Sequence, residues 1–250
     1  MSGRNDTDVV DGTRMSLGDH LEELRGRILY ALGAVVVAFL VTFVLFREQA
    51  LALVADPIVK TLSGLGYTPV LVALSPTDRF LAYVKVSALL SLFLASPVVL
   101  YHLWAFVAAG LYPKERRYVH VIFPFSTVSF ILGVLFAYFV MVRFGLRFLY
   151  SFGDDALIRM TPTVRENVDF VIKLSLVLGV VFQLPLVMLA LEKMGVVTVK
   201  QLAGGRRFAL LGCVVLGMVL TDPSVVTQLM LAGPMYALYE TGILLCRWFG

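Results

Sequence analysis

"HLEELRGRILYALGAVVVAFL", residues 20–40, sets two acids and two arginines directly against an apolar run. The run carries no charge from Ile28 to Phe46, a stretch of 19 residues. At ~1.5 Å per residue it covers about 28 Å, close to a hydrocarbon core of ~30 Å. It therefore reads as a membrane-spanning helix. A cleaved leader is not expected, because the apolar stretch is too long and meets Arg47-Glu48 with no small-x-small site. The residues before it also carry a helical pattern. Asp19, Glu23 and Arg27 recur at i, i+4, and Leu17, Leu21 and Leu24 share an apolar face. Ser16 to Asp19 resembles a capping box. A short amphipathic helix at the membrane surface is predicted, leading into the first span. By itself the Glu23–Arg27 spacing is worth only ~0.3–0.5 kcal/mol and reads as an interfacial anchor.

The rest of the chain has the same character. Of its 250 residues 59% are hydrophobic and 15% charged, where a soluble domain carries about 25% charged residues. Mean hydropathy is +0.88. The net charge of +4 bears on loop orientation, since no basic stripe with interleaved aromatics points to nucleic acid. Cys213 and Cys246 lie in apolar stretches without a CxxC or histidine-rich neighbourhood, so they read as small core residues and no metal site is expected.

Six apolar segments follow one another at about 28–46, 80–109, 118–142, 168–191, 207–221 and 224–246. The expected fold is all-α: a polytopic membrane protein of six transmembrane helices. Residues 1–15 are expected as a disordered cytoplasmic N-terminus, and 16–248 as one membrane domain. Six crossings put both termini on one side, and the short loops bearing Lys114, Arg116, Arg117, Lys193, Lys200, Arg206 and Arg207 make that side cytoplasmic. Longer loops at about 47–79 and 143–167 then face outward. Ser75-Pro76-Thr77-Asp78 and Thr163-Val164-Arg165-Glu166 read as helix starts opening the second and fourth spans. Asp222 can cap the sixth span. The fifth span is short, about 22 Å for 15 residues, and Gly233-Pro234 should kink the sixth.

Of the polar groups inside the apolar segments, Gln183 and Glu240 are the most informative; Gln228 also lies in the sixth, and Thr221 ends the fifth. Gln183 sits in the fourth beside Pro185, and Glu240 in the sixth near Arg247 and the cytoplasmic edge. An acid at membrane depth costs at least ~2–3 kcal/mol on insertion scales, so such groups face protein or water. Gln183 is explained by an interhelical hydrogen bond, worth about 0.6–2 kcal/mol. Enzyme signatures are missing. His20, His102 and His120 are scattered, and no GxSxG, HExxH or nucleophile–base pair occurs.

Several stretches, in order, resemble one family. "HLEELRGRI" (20–28), "SPVVLYHLWAFVAAGLYPKERR" (96–117), "FQLPLV" (182–187), "GMVLTDPSVVTQ" (217–228) and "PMYALYETG" (234–242) are similar to motifs of the TatC subunits of twin-arginine protein translocases. The resemblance implies a receptor without cofactor, not an enzyme. It binds signal peptides of folded cargo that carry an arginine pair, and Glu23 and Glu115 match the signal-binding acids. Leu24, Arg25, Arg27, Phe106 and Lys114 would shape the site. Physically, a planar guanidinium fork meets a carboxylate in a way that lysine cannot. Met218, Thr221 and Gln228 match the face where the single-span partners TatA and TatB dock. The resemblance also implies the cytoplasmic (inner) membrane of a prokaryote, the proton-motive force as energy source, and homo-oligomers within the receptor complex. Two positions depart from the family pattern. Gln183 stands where some members have glutamate, and Thr221-Asp222-Pro223-Ser224 replaces a common Thr-Pro-Pro-Asp turn. The competing class is a secondary transporter of a small solute, supported by Gly233-Pro234, Gln183 and Glu240.

Overall fold

The computed structural model describes residues 17–109, 116–151, 161–220 and 225–249. The disorder expected for 1–15 therefore falls outside the described residues, as do the Ser16 and Asp222 caps. Helix α1 (Leu17–Leu45) is continuous, so the expected surface helix and first span are one element. No proline interrupts it, and nothing breaks the backbone hydrogen bonding between its charged and apolar parts.

The stretch expected as the first outer loop contains a second helix, α2 (Arg47–Gly64). Its Ala50, Val54, Ile58 and Leu62 recur at i, i+4 and are all buried. Helix α3 (Pro76–Ala109) starts as the sequence predicts. The Ser75 hydroxyl accepts from Thr77 N at 3.4 Å, and Asp78 Oδ2 accepts from Ser75 N at 3.0 Å. Helix α4 (Arg116–Phe136), a five-residue π-helical turn (Ala137–Met141) and α5 (Val142–Ser151) make one long segment. At the start of α6 (Val164–Val181), Thr163 Oγ1 accepts from Glu166 N at 3.4 Å. Helix α7 (Leu184–Lys193) follows after a break at Phe182-Gln183, where Pro185 brings no N–H to the ladder. The freed Phe182 carbonyl accepts from Ser129 Oγ at 2.7 Å. Helix α8 (Val199–Gly204) opens on a complete capping box of Thr198 and Gln201. Helices α9 (Arg206–Leu220) and α10 (Val225–Phe249) close the chain, with Pro234 inside α10.

The chain is thus an all-helical, multi-pass membrane protein. Outside helices, one isolated bridge is described. Val72 N donates to Pro162 O at 2.9 Å and Val164 N to Val72 O at 3.0 Å, tying the α2–α3 connection to the start of α6. Among the described residues, five helical segments are long and apolar enough to cross a membrane: Leu21–Leu45, Pro76–Ala108, Ile122–Ser151, Val164–Lys193 and Val225–Phe249. Helix α9, expected as a further span, has 15 residues and falls short at about 22 Å.

Packing is closest where α2, α3, the π turn, α5, α6 and α10 meet around Ile58, Leu62, Val86, Val142, Val168, Val171, Leu178 and Met235. Lipid tails supply little drive for helices to associate, so close approach at small residues matters. A Cβ on Gly133 would lie 2.7 Å from Leu178 O, and one on Gly242 would lie 2.6 Å from Met188 Sδ. Buried hydroxyls turn back onto their own helices: Thr42 donates to Ala38 O at 2.8 Å and Ser96 to Phe93 O at 2.7 Å. Helix α1 stands apart. Only 6% of its apolar window is buried, against 33–44% in the other four segments, so it lies at the edge of the bundle, packed chiefly along α3.

Candidate functional site

Helices α1 and α3 run antiparallel. Tyr30 stacks on His102 near one end, and Phe43 meets Phe80 edge-on near the other. This order sets the charged start of α1 beside the last turns of α3. A groove of about 320 Å³ lies between them, lined by Leu24, Arg27, Ile28, His102, Leu103 and Phe106 among others. Three of the residues that resemblance places in the signal site, Leu24, Arg27 and Phe106, therefore share one concavity.

Glu23 stands at the same end. Arg27 Nε donates to Glu23 Oε1 at 2.9 Å, and Nη2 donates to the same oxygen. The two side chains are 21% and 26% exposed, so this pair is partly withdrawn from water. Glu23 Oε2 is occluded and has no hydrogen-bond partner among the described residues. Arg25 is exposed and does not line the groove. Lys114 and Glu115 lie outside the described residues, in the segment joining α3 to α4.

Gln183 sits at the break between α6 and α7. Its Nε2 donates to Ser126 O at 3.0 Å, and its Oε1 accepts from Ser126 Oγ. Trp104 Nε1 donates to that hydroxyl at 2.8 Å. Trp104 and Ser126 are buried, so the chain α3–α4–α7 is stapled by a polar seam in an apolar setting. Glu240, near Arg247 in sequence, is held by other partners. Arg206 Nη2 donates to its Oε2 at 2.9 Å, Arg206 Nε lies 2.8 Å from Oε1, and Tyr236 Oη donates to Oε1 at 2.8 Å. The hydrogen bond to Glu240 raises the Arg206 guanidinium above its ordinary value. Both polar groups that favour a solute transporter are thus bonded within the bundle.

Of the residues matched to partner docking, Met218 is 59% exposed on α9. Gln228 Nε2 donates to Val214 O at 2.9 Å, binding α10 to α9. Thr221 lies outside the described residues. No group of three or more metal-ligating side chains occurs among the described residues. Sequence reasoning did not anticipate the cross-helix pair of Lys85 and Asp169. Two opposite charges, each in the early turns of its own apolar helix, were the available signal.

Residues 19–234 match the family described as Sec-independent protein translocase protein (TatC). The Halothiobacillus neapolitanus protein of that name is 39% identical over 97% of this chain, which spans 65% of that relative's length. The Desulforapulum autotrophicum protein of the same name is 36% identical over 93% of this chain and 84% of its own. A crystal structure of a twin arginine translocase receptor, TatC, superposes with a TM-score of 0.79 at 34% identity, covering 92% of this chain and 98% of that one.

Proposed function

The chain belongs to the TatC family of Sec-independent protein translocase proteins, and from that premise we propose that it is the receptor subunit that binds twin-arginine signal peptides. In this proposal α9 is the fifth of six crossings, and both termini are cytoplasmic in the inner membrane of a prokaryote. Glu23 reads one signal arginine. Glu115, carried with Lys114 on the cytoplasmic α3–α4 segment, reads the other. Met218, Thr221 and Gln228 mark the face for TatA and TatB. Several copies of the chain share one receptor complex, and the proton-motive force drives the folded cargo across.

The observation that carries this reading is the state of Glu23. It is a carboxylate held partly out of water, with one oxygen occluded and unpartnered among the described residues, at the end of an apolar groove. A partly desolvated carboxylate binds a guanidinium more strongly than an exposed pair, whose worth is ~0–1 kcal/mol. The test is export of a twin-arginine cargo in cells lacking their own subunit. Wild type is expected to restore export, with Glu23→Ala and Glu115→Ala each reducing it at least about tenfold at equal protein level. Export at the wild-type rate with both acids replaced would refute the proposal.

A further inference from the structure

A cavity of about 160 Å³ lies where α2, α3, α4 with its π turn, and α6 meet, and it is open on one side. Leu53, Leu90, Phe93, Leu135, Phe139 and Val171 are among its walls, and Tyr138 and Ser175 are its polar lining residues. Leu53 and Phe139 are half exposed, so the opening lies between α2 and the π turn. A cavity of ~150 Å³ with hydrocarbon walls stays dry and admits an apolar molecule the size of benzene. This one therefore takes a few methylene groups and is too narrow for a helix of ~10 Å diameter. Tyr138 Oη donates to Leu53 O at 2.8 Å and fixes one edge of the opening. Single π turns within α-helices are frequent at functional sites. Here the turn sets two successive aromatic residues, Tyr138 and Phe139, on the cavity wall.

The rim of the cavity is charged. Arg143 Cζ lies 5.7 Å from the centroid of the Phe139 ring, over the wall itself. Arg147 follows one turn later on α5, and both arginines are exposed. The ion pairs among the described residues belong to other cations, so neither arginine is matched by an acid there. Asp56, one turn beyond Leu53, is already held by Lys60 at 2.8 Å. Arg143 is the first charge after the apolar run 118–142, the place where a span meets lipid headgroups. The geometry points to a phospholipid site, independent of the signal-peptide reading: one acyl chain enters between Leu53 and Phe139, and its phosphate meets Arg143 and Arg147. A guanidinium fork meets two phosphate oxygens in parallel. Two uncompensated cations favour a headgroup of net negative charge over a zwitterionic one.

The experiment places the full chain in lipid nanodiscs that hold a trace of photoactivatable phospholipid, reactive on its acyl chain. The headgroup is either phosphatidylglycerol or phosphatidylcholine. Peptide mapping reads the labelling around Leu53, Leu135 and Phe139 relative to exposed Val37 on α1. The glycerol lipid is expected to label the cavity at least about fivefold more than the choline lipid, on that ratio. Arg143→Gln/Arg147→Gln is expected to erase the difference. Leu135→Trp, which narrows the opening and leaves the charge alone, is expected to lower cavity labelling by both lipids. Equal labelling by the two lipids in wild type overturns the proposal, and this comparison needs no variant. A difference that survives the loss of both arginines also overturns it. So does exclusion of lipid from the cavity by an added signal peptide or single-span helix, which would assign the space to protein. Thermal unfolding of each variant separates a lost site from a lost fold.

Discussion

Lys85 on α3 and Asp169 on α6 form a cross-helix ion pair in which Nζ lies 2.6 Å from Oδ1 and 2.9 Å from Oδ2. The side chains are 36% and 29% exposed, so neither charge is fully hydrated. Removing one partner strands the other. Lys85→Met is expected to destabilise the protein by about 1–2 kcal/mol, less than a fully buried pair costs. The double variant Lys85→Met/Asp169→Leu should recover most of that loss. Unfolding in mild detergent measures both, and equal losses in the single and double variants would count against the pair.

Gln183 is occupied by Ser126 on both sides of its amide. Gln183→Leu removes those bonds and leaves the Ser126 hydroxyl with Trp104 alone. Stability should fall by about 1–2 kcal/mol. Signal-peptide affinity should change less than about twofold. A tenfold loss of affinity in a variant of normal stability would assign Gln183 to recognition instead.

Gly133 and Gly33 make a matched pair of substitutions. A Cβ at Gly133 meets backbone Leu178 O at 2.7 Å and the Phe182 side chain at 2.8 Å, whereas one at Gly33 meets nothing within 4 Å. Gly133→Ala should cost about 1–3 kcal/mol by forcing α4 and α6 apart. Gly33→Ala should be neutral or stabilising by up to about 1 kcal/mol, since alanine is the better helix former. Thermal unfolding of the two variants side by side decides the matter.

The shortness of α9 is a functional prediction. Four residues inserted after Cys213 would lengthen it by about one turn and bring it near the ~30 Å of a full crossing. If local thinning of the bilayer eases passage, export should be lost and signal-peptide binding kept. Unchanged export would show that the short helix has no such role.

Features set by near neighbours were legible in the sequence. The first apolar run, the Ser75 helix start and the Glu23–Arg27 spacing depend on residues within a turn or two. The α2 helix was hidden because Asp56, Pro57 and Lys60 interrupt its apolar residues, and only the buried i, i+4 positions reveal it. Contacts between distant segments left little trace. Lys85 and Asp169 lie 84 residues apart, and Ser126 and Gln183 lie 57 apart. Glu240 shows the limit clearly: Arg247 is nearer in sequence, yet Arg206, 34 residues away, holds the carboxylate. A multi-pass helical pattern follows from composition, while the partner of each polar group follows from helix order.

The edge position of α1 bears on how the protein is made. This helix is synthesised before α3, the neighbour it chiefly rests against, so it must first lodge in the bilayer unaccompanied. Its apolar surface suits it to that interval, and the backbone groups of its middle turns are satisfied within the helix. The pairing of Glu23 with Arg27 on the same helix serves the same purpose. It balances the acid's charge during insertion without waiting for the remainder of the polypeptide.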